Sequence, residues 1–160
     1  MEKIDSFKID HLKLTKGLYV SRRDKTPSGD TLTTFDIRLT DPNKEDAVSA
    51  QALHSIEHLA ATWLRNNSKW AERVIYWGPM GCCTGCYLIL AGELYPSDIE
   101  ELMKDMFLWI FNYEGTIPGA TPKDCGNYLF NDLKEAKRIA KRYYNEVLLN
   151  LNDLNTKYPS

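Results

Sequence analysis

The sequence predicts an α+β fold: a single-layer, mostly antiparallel sheet with helices packed on one face. Three observations carry this. Thr31 to Leu39 alternates as a strand does, with Phe35, Ile37 and Leu39 on one side and Thr34, Asp36 and Arg38 on the other. The turn Thr26-Pro-Ser-Gly-Asp30 joins it to an earlier alternating run, which predicts an antiparallel hairpin. Two later stretches instead follow helical spacing, Asp46 to Leu64 and the stripe Ile99, Leu102, Met103, Met106, Phe107, Ile110. The element order is strand, strand, helix, strand, strand, helix, helix.

The first strand is expected within Leu12 to Val20 and the second over Thr31 to Leu39, ended by Asp41-Pro-Asn43. On local sequence Asp36 and Arg38 read as a solvated outer face. The first helix has no internal Gly or Pro; Asp46 suits its cap and Asn66-Asn67 its end. Val74-Ile-Tyr-Trp77 suits a third strand, broken by Gly78-Pro-Met-Gly81. Cys82 to Ala91 then reads as a buried fourth strand. Ser97 and Glu100 have capping-box spacing at the start of the second helix, whose apolar stripe reads as core. Tyr113 to Tyr128 is turn-rich. The last helix is expected over Leu133 to Leu149, with Lys134, Lys137, Arg138, Lys141 and Arg142 as a solvated basic face.

At 160 residues the chain fits one domain, residues 1–160, with a real core. Hydrophobic content of 43% and charged content of 26% are those of a soluble globular protein. A net charge of −2 gives no reason to expect a nucleic-acid or anionic-membrane partner. No apolar run of membrane-spanning length occurs. The N-terminus lacks an apolar signal region, so a cytoplasmic location is expected. There thiols stay reduced, and Cys82, Cys83, Cys86 and Cys125 read as free thiols, metal ligands or nucleophiles rather than a disulfide framework.

The chemistry centres on His54-Ser-Ile-Glu57-His58. Residues four apart share a helix face, so His54 and His58 can aim two imidazoles at one ion, with Glu57 beside them. The bland alternative is two surface histidines next to a glutamate. The arrangement is also that of an inverzincin-type metallopeptidase, with Glu57 as water-activating base. Two histidines bind a metal weakly, and catalytic sites usually offer three protein ligands and an open position. The third could be Glu57, Cys82, Cys83, Cys86 or Cys125. A closed four-ligand structural module, or half of a structural zinc or iron–sulfur site at Cys82-Cys83-x-x-Cys86, are further alternatives. The latter lacks a second CxxC pair.

His54-Ser-Ile-Glu57-His58, Gly78-Pro-Met-Gly-Cys82-x-Thr-Gly85 and Cys125-Gly-Asn127-Tyr128 occur in one chain, in this order. With Ser6-Phe7-x-x-Asp10-His11 and Phe35-Asp36-x-Arg38, they make the sequence resemble the S-ribosylhomocysteine lyase (LuxS) family over about residues 5–150. The resemblance implies a LuxS/metallohydrolase-like fold. It implies cleavage of S-ribosylhomocysteine to homocysteine and 4,5-dihydroxy-2,3-pentanedione, the precursor of autoinducer 2. It implies one divalent metal per subunit, Fe(II) with zinc or cobalt able to substitute, held by His54, His58 and Cys125. Cys82 and Glu57 become the acid/base pair, and Ser6, His11 and Arg38 bind or orient substrate. It also implies a homodimer with sites at the interface.

The residue types suit that reaction on their own terms. The carbonyl migrates by enediol steps, each removing and returning a proton beside a carbonyl. A Lewis-acidic cation assists such steps. A cysteine near a cation can be thiolate at neutral pH and act as base, and a carboxylate can protonate the leaving thiolate. The sequence departs from the family pattern at three positions. Cys83 stands where a polar residue is usual, Cys86 where an aromatic is usual, and Tyr76 where some members carry an acid. Strand alternation would turn Cys83 away from Cys82, and Cys86 is expected in the core.

Overall fold

The computed structural model describes residues 2–4, 7–66 and 69–159. Four strands form one antiparallel sheet in the order β1-β2-β4-β3: β1 Gly17–Lys25, β2 Thr31–Arg38, β3 Val74–Pro79 and β4 Gly85–Ala91. The helices are α1 Ala50–Asn66, α2 Pro96–Phe111, α3 Leu133–Glu146 and the short α4 Asp153–Thr156. Leu18, Phe35, Ile37, Trp77, Leu88 and Leu90 from one sheet face share a core cluster with side chains of α1, α2 and α3. The expected α+β layering is therefore present. The predicted stripe of α2, Ile99 to Ile110, is buried at all six positions. Each such side chain contributes roughly 1.5–3 kcal/mol by leaving water.

Several boundaries differ from the sequence reading, each for a visible reason. β1 starts at Gly17 rather than near Leu12, because Lys13 and Leu14 donate back to the Asp10 carbonyl in a turn. It then runs through polar Arg22 to Lys25, since ladder pairing with Thr31–Thr34 needs only backbone. α1 starts at Ala50, not Asp46. Val48 N–H is engaged by the Cys83 carbonyl at 2.9 Å, and Ser49 Oγ accepts from Ala52 N–H. β4 starts at Gly85. Cys83 N–H donates to Met80 O in a tight turn, with Cys83 at φ 59°, so the chain around Cys82 is not extended. At α2 the cap is Tyr95, two residues before Ser97. Pro96 takes the first helical position, Asp98 accepts from Tyr95 N–H at 2.7 Å, and Glu100 pairs with Lys104 instead. α3 ends at Glu146, where the chain tightens into a 3₁₀ turn, Leu148–Asn150.

The largest difference concerns Asp36 and Arg38. They are not solvated: their side chains are 0% and 3% exposed. The sheet face turned away from the helices is covered here by the C-terminal segment. Tyr158 stacks on Tyr19 with ring centres 4.9 Å apart and donates its hydroxyl to Asp36 Oδ2 at 2.8 Å. Farther along the same face, Ile4, Ser21, Thr34, Tyr76 and Tyr87 line a cleft of about 530 Å³.

Candidate active site

α1 presents His54 and His58 one turn apart, with their Nε2 atoms 3.1 Å from each other. Cys125 Sγ lies 3.4 Å from His54 Nε2. The three ligand atoms fall within 4.8 Å of one another, the one group of this kind among the described residues. The other nitrogen of each ring is committed. His54 Nδ1 sits 2.6 Å from the Phe130 carbonyl and His58 Nδ1 2.7 Å from the Pro118 carbonyl. A carbonyl only accepts, so both Nδ1 atoms carry hydrogen and both Nε2 lone pairs face inward. Two lone pairs 3.1 Å apart repel unless a cation lies between them. Cys125 adds a thiol whose sulfur accepts from Asn127 N–H at 3.4 Å. Two imidazoles with carbonyl-oriented rings and one cysteine sulfur make a donor set that suits a divalent transition metal.

The loops that supply this support are tied to α1. Ser55, the second residue of the motif, is fully buried. Its hydroxyl donates to Gln51 O and accepts from Asp132 N–H at 2.9 Å. Asp132 in turn caps α3 through Glu135 N–H. This holds Phe130 over His54. On the other side, Gly119 has φ 71°, and a Cβ there would lie 3.2 Å from His58 Nδ1. Glycine thus lets the 113–121 loop close onto the ring.

A second cluster surrounds Cys82. Its exposed thiol lies 3.1 Å from Thr84 Oγ1, which accepts from Arg38 Nη1 at 2.6 Å. Arginine can only donate, so the Thr84 hydroxyl hydrogen is left to point at sulfur. Partial burial works against ionisation, but the Thr84 hydroxyl and amide and the Arg38 charge outweigh it and hold the Cys82 thiol below its ordinary range. Arg38 is anchored by Asp36, with Nη2 to Oδ2 at 2.5 Å. Burial pushes the Asp36 carboxyl upward against the pull of Arg38, Tyr158 and the nearby charge of His11.

The sequence-derived residues thus fall into two groups. His54, His58 and Cys125 come together. Cys82, Arg38 and His11 belong to the second cluster, His11 with Nδ1 on its own Ile9 carbonyl. Half-buried Glu57 lies on α1 beside the histidines, and its charge reaches the Cys86 thiol of β4. Ser6 lies outside the described residues. Cys86 is fully buried in the core, as expected, and burial raises its thiol far out of the ionisable range. Cys82 and Cys86 belong to no metal-holding group among the described residues. Cys83 faces partly into the core from a turn, not from a strand as read from the sequence. Thr84 and Tyr158 were not singled out in the sequence. A hydroxyl two residues after a cysteine could have flagged Thr84; nothing local flags Tyr158.

Asp36→Ala should cost about 3–5 kcal/mol in urea unfolding, because it leaves a buried guanidinium that cannot deprotonate. Removing the exposed Lys157–Asp153 pair should cost less than about 1 kcal/mol. Equal, small losses in both variants would disprove the buried-charge account.

Comparisons with known proteins point to one family. A family model described as S-ribosylhomocysteinase (LuxS) matches residues 4–153. The chain is 52% identical over 160 residues to the S-ribosylhomocysteine lyase of Phocaeicola vulgatus, spanning 100% of this chain and 99% of that one. It is 54% identical to the S-ribosylhomocysteine lyase of Desulfotalea psychrophila, with both chains fully covered. It is 51% identical over 161 residues to that of Clostridium beijerinckii, again over the full length of both. With nearly the whole length matched and about half the positions shared, the chain belongs to the S-ribosylhomocysteinase (LuxS) family.

Proposed function

We propose that this protein, with residues 1–160 as one lyase domain, cleaves S-ribosylhomocysteine to homocysteine and 4,5-dihydroxy-2,3-pentanedione. The observation that supports the assignment is that Cys125 stands with His54 and His58 in a group that could hold a metal ion, which leaves Glu57 and the acidified Cys82 thiol for proton transfer. A peptidase reading is not favoured, since the family and its named relatives are lyases.

A divalent cation held by His54, His58 and Cys125 supplies Lewis acidity to neighbouring carbonyl and hydroxyl oxygens. Cys82, as thiolate, takes a proton from the sugar carbon beside the carbonyl and returns it one carbon along, twice in succession. Thr84 and Arg38 lower the pKa of this thiol and so favour the ionised form. In the β-elimination Glu57 takes the proton from the carbon beside the last carbonyl, the carbon–sulfur bond breaks, and Glu57 returns that proton to the sulfur of homocysteine. Arg38, His11 and Ser6 orient the substrate. Arg38 suits that role because its fork is fixed by Asp36.

We place the metal as Fe(II), with zinc or cobalt as working substitutes, because imidazole and thiolate accept all three. The protein is taken to act as a homodimer with sites at the subunit interface. Ile4, Phe7, Leu12 and Tyr76 are exposed, and Ile4 and Tyr76 line one cleft on the outer sheet face. A cytoplasmic location suits unpaired cysteines that must stay reduced, and none of the described helices is long and apolar enough to cross a membrane. The product then serves as autoinducer precursor for quorum sensing, and homocysteine returns to the methionine cycle.

The test is thiol release. Protein loaded anaerobically with Fe(II) or cobalt(II) should liberate homocysteine from S-ribosylhomocysteine, and chelation should stop it. A folded, metal-loaded protein that releases no thiol would remove this function.

A further inference from the structure

The chain's last turn reaches the acid–base cluster. Tyr158 lies beyond the residues matched by the family model. Its hydroxyl donates to Asp36 Oδ2, the same oxygen that accepts Arg38 Nη2. Arg38 Nη1 donates to Thr84 Oγ1, and Thr84 is left to donate to Cys82 Sγ. Every link has a fixed direction, because tyrosine and arginine donate here and the carboxylate oxygen accepts. We propose that Tyr158 is a positioning residue for Cys82: it fixes Asp36, which aims Arg38, which orients the Thr84 hydroxyl toward the sulfur.

Several observations support the link. Asp36 Oδ1 and Arg38 Nε are buried without a partner among the described residues, which hold the pair at Oδ2, Nη1 and Nη2. With so few anchors, the tyrosine bond is a large share of what fixes the carboxylate rotamer. The tyrosine is itself well seated. Its ring stacks on buried Tyr19 at an interplanar angle of 22°. The segment before it is capped by Asn152, which accepts from Leu154 N–H, and lies against β1. At Gly17 a Cβ would collide with the Asn155 carbonyl, so glycine is what lets α4 approach the sheet.

This inference rests on Cys82 being the proton-transfer group, so its test uses a reading independent of turnover. In metal-loaded, full-length protein at pH 7, the rate of iodoacetamide alkylation at each cysteine is followed by peptide mass spectrometry. Tyr158→Phe keeps the stacking and loses the hydroxyl. It should slow alkylation of Cys82 about threefold or more, the effect of a thiol pKa rise of roughly half a unit. kcat should fall by a similar factor with KM unchanged. Thr84→Val cuts the last link and should slow Cys82 more; adding Tyr158→Phe to it should then change nothing further. Wild-type alkylation in Tyr158→Phe, or full additivity in the double variant, would overturn the proposal. So would faster labelling of core Cys86, which would mark general loosening rather than positioning. If the wild type releases no homocysteine yet Tyr158→Phe still slows Cys82, the lyase assignment fails and the positioning role stands.

Discussion

Cys125→Ala should fold and yet lose its divalent metal. The two histidine rings would remain, each oriented by a carbonyl. The anionic ligand would be gone, and two neutral imidazoles give weak binding. The loss of affinity should exceed the roughly 10–100-fold expected from removing an outer-shell partner. Metal analysis after gel filtration should find near-stoichiometric metal in the wild type and little in the variant. Cobalt(II) loading should give a thiolate-to-metal charge-transfer band only in the wild type. Thermal unfolding gives a second reading. At free metal near 100 times the dissociation constant, the wild type gains about 2.7 kcal/mol, and the variant should gain almost none. Unchanged metal content in Cys125→Ala would mean that Glu57 or another group is the third ligand.

Cys82→Ala should do the reverse, keeping metal and losing turnover. Cys82 is not part of the ligand group and sits exposed on its own turn, so the substitution leaves no cavity in the core. Losing a positioned acid/base group costs about 10²–10⁴-fold in rate, and a base used in successive steps should sit at the upper end. Metal content and melting temperature should match the wild type. Retained homocysteine release would sink the assigned role. The two variants together separate ligand from base, which no single substitution does.

Much of the layout could be read locally. The alternation of Thr31–Leu39, the stripe of α2 and the His54–His58 face each depend on residues within a few turns of one another. What escaped was set by distant partners. Asp36 and Arg38 look like surface until Tyr158, far along the chain, lies over them. Val48 is drawn out of the helix by the Cys83 carbonyl. The turn at Cys82 continues an apolar run, so composition alone extends the strand through it. The third metal ligand stayed open on spacing, because which cysteine meets α1 depends on how the 112–132 connection folds back. The motif set, matched as a whole, supplied what local physics could not.

That connection has a consequence of its own. Residues 112–132 contain neither helix nor strand, and their backbone is held by short turns and a few side-chain bonds. Yet the segment carries Cys125 and both carbonyls, Pro118 and Phe130, that set the histidine tautomers. A cation held by Cys125, His54 and His58 would therefore act as a clasp on the longest stretch of the described residues without helix or strand. Closing it fixes the carbonyls, and fixed carbonyls ready the rings for the cation. Capture and ordering reinforce each other, so the apo protein should open locally, at this strap, long before the sheet gives way.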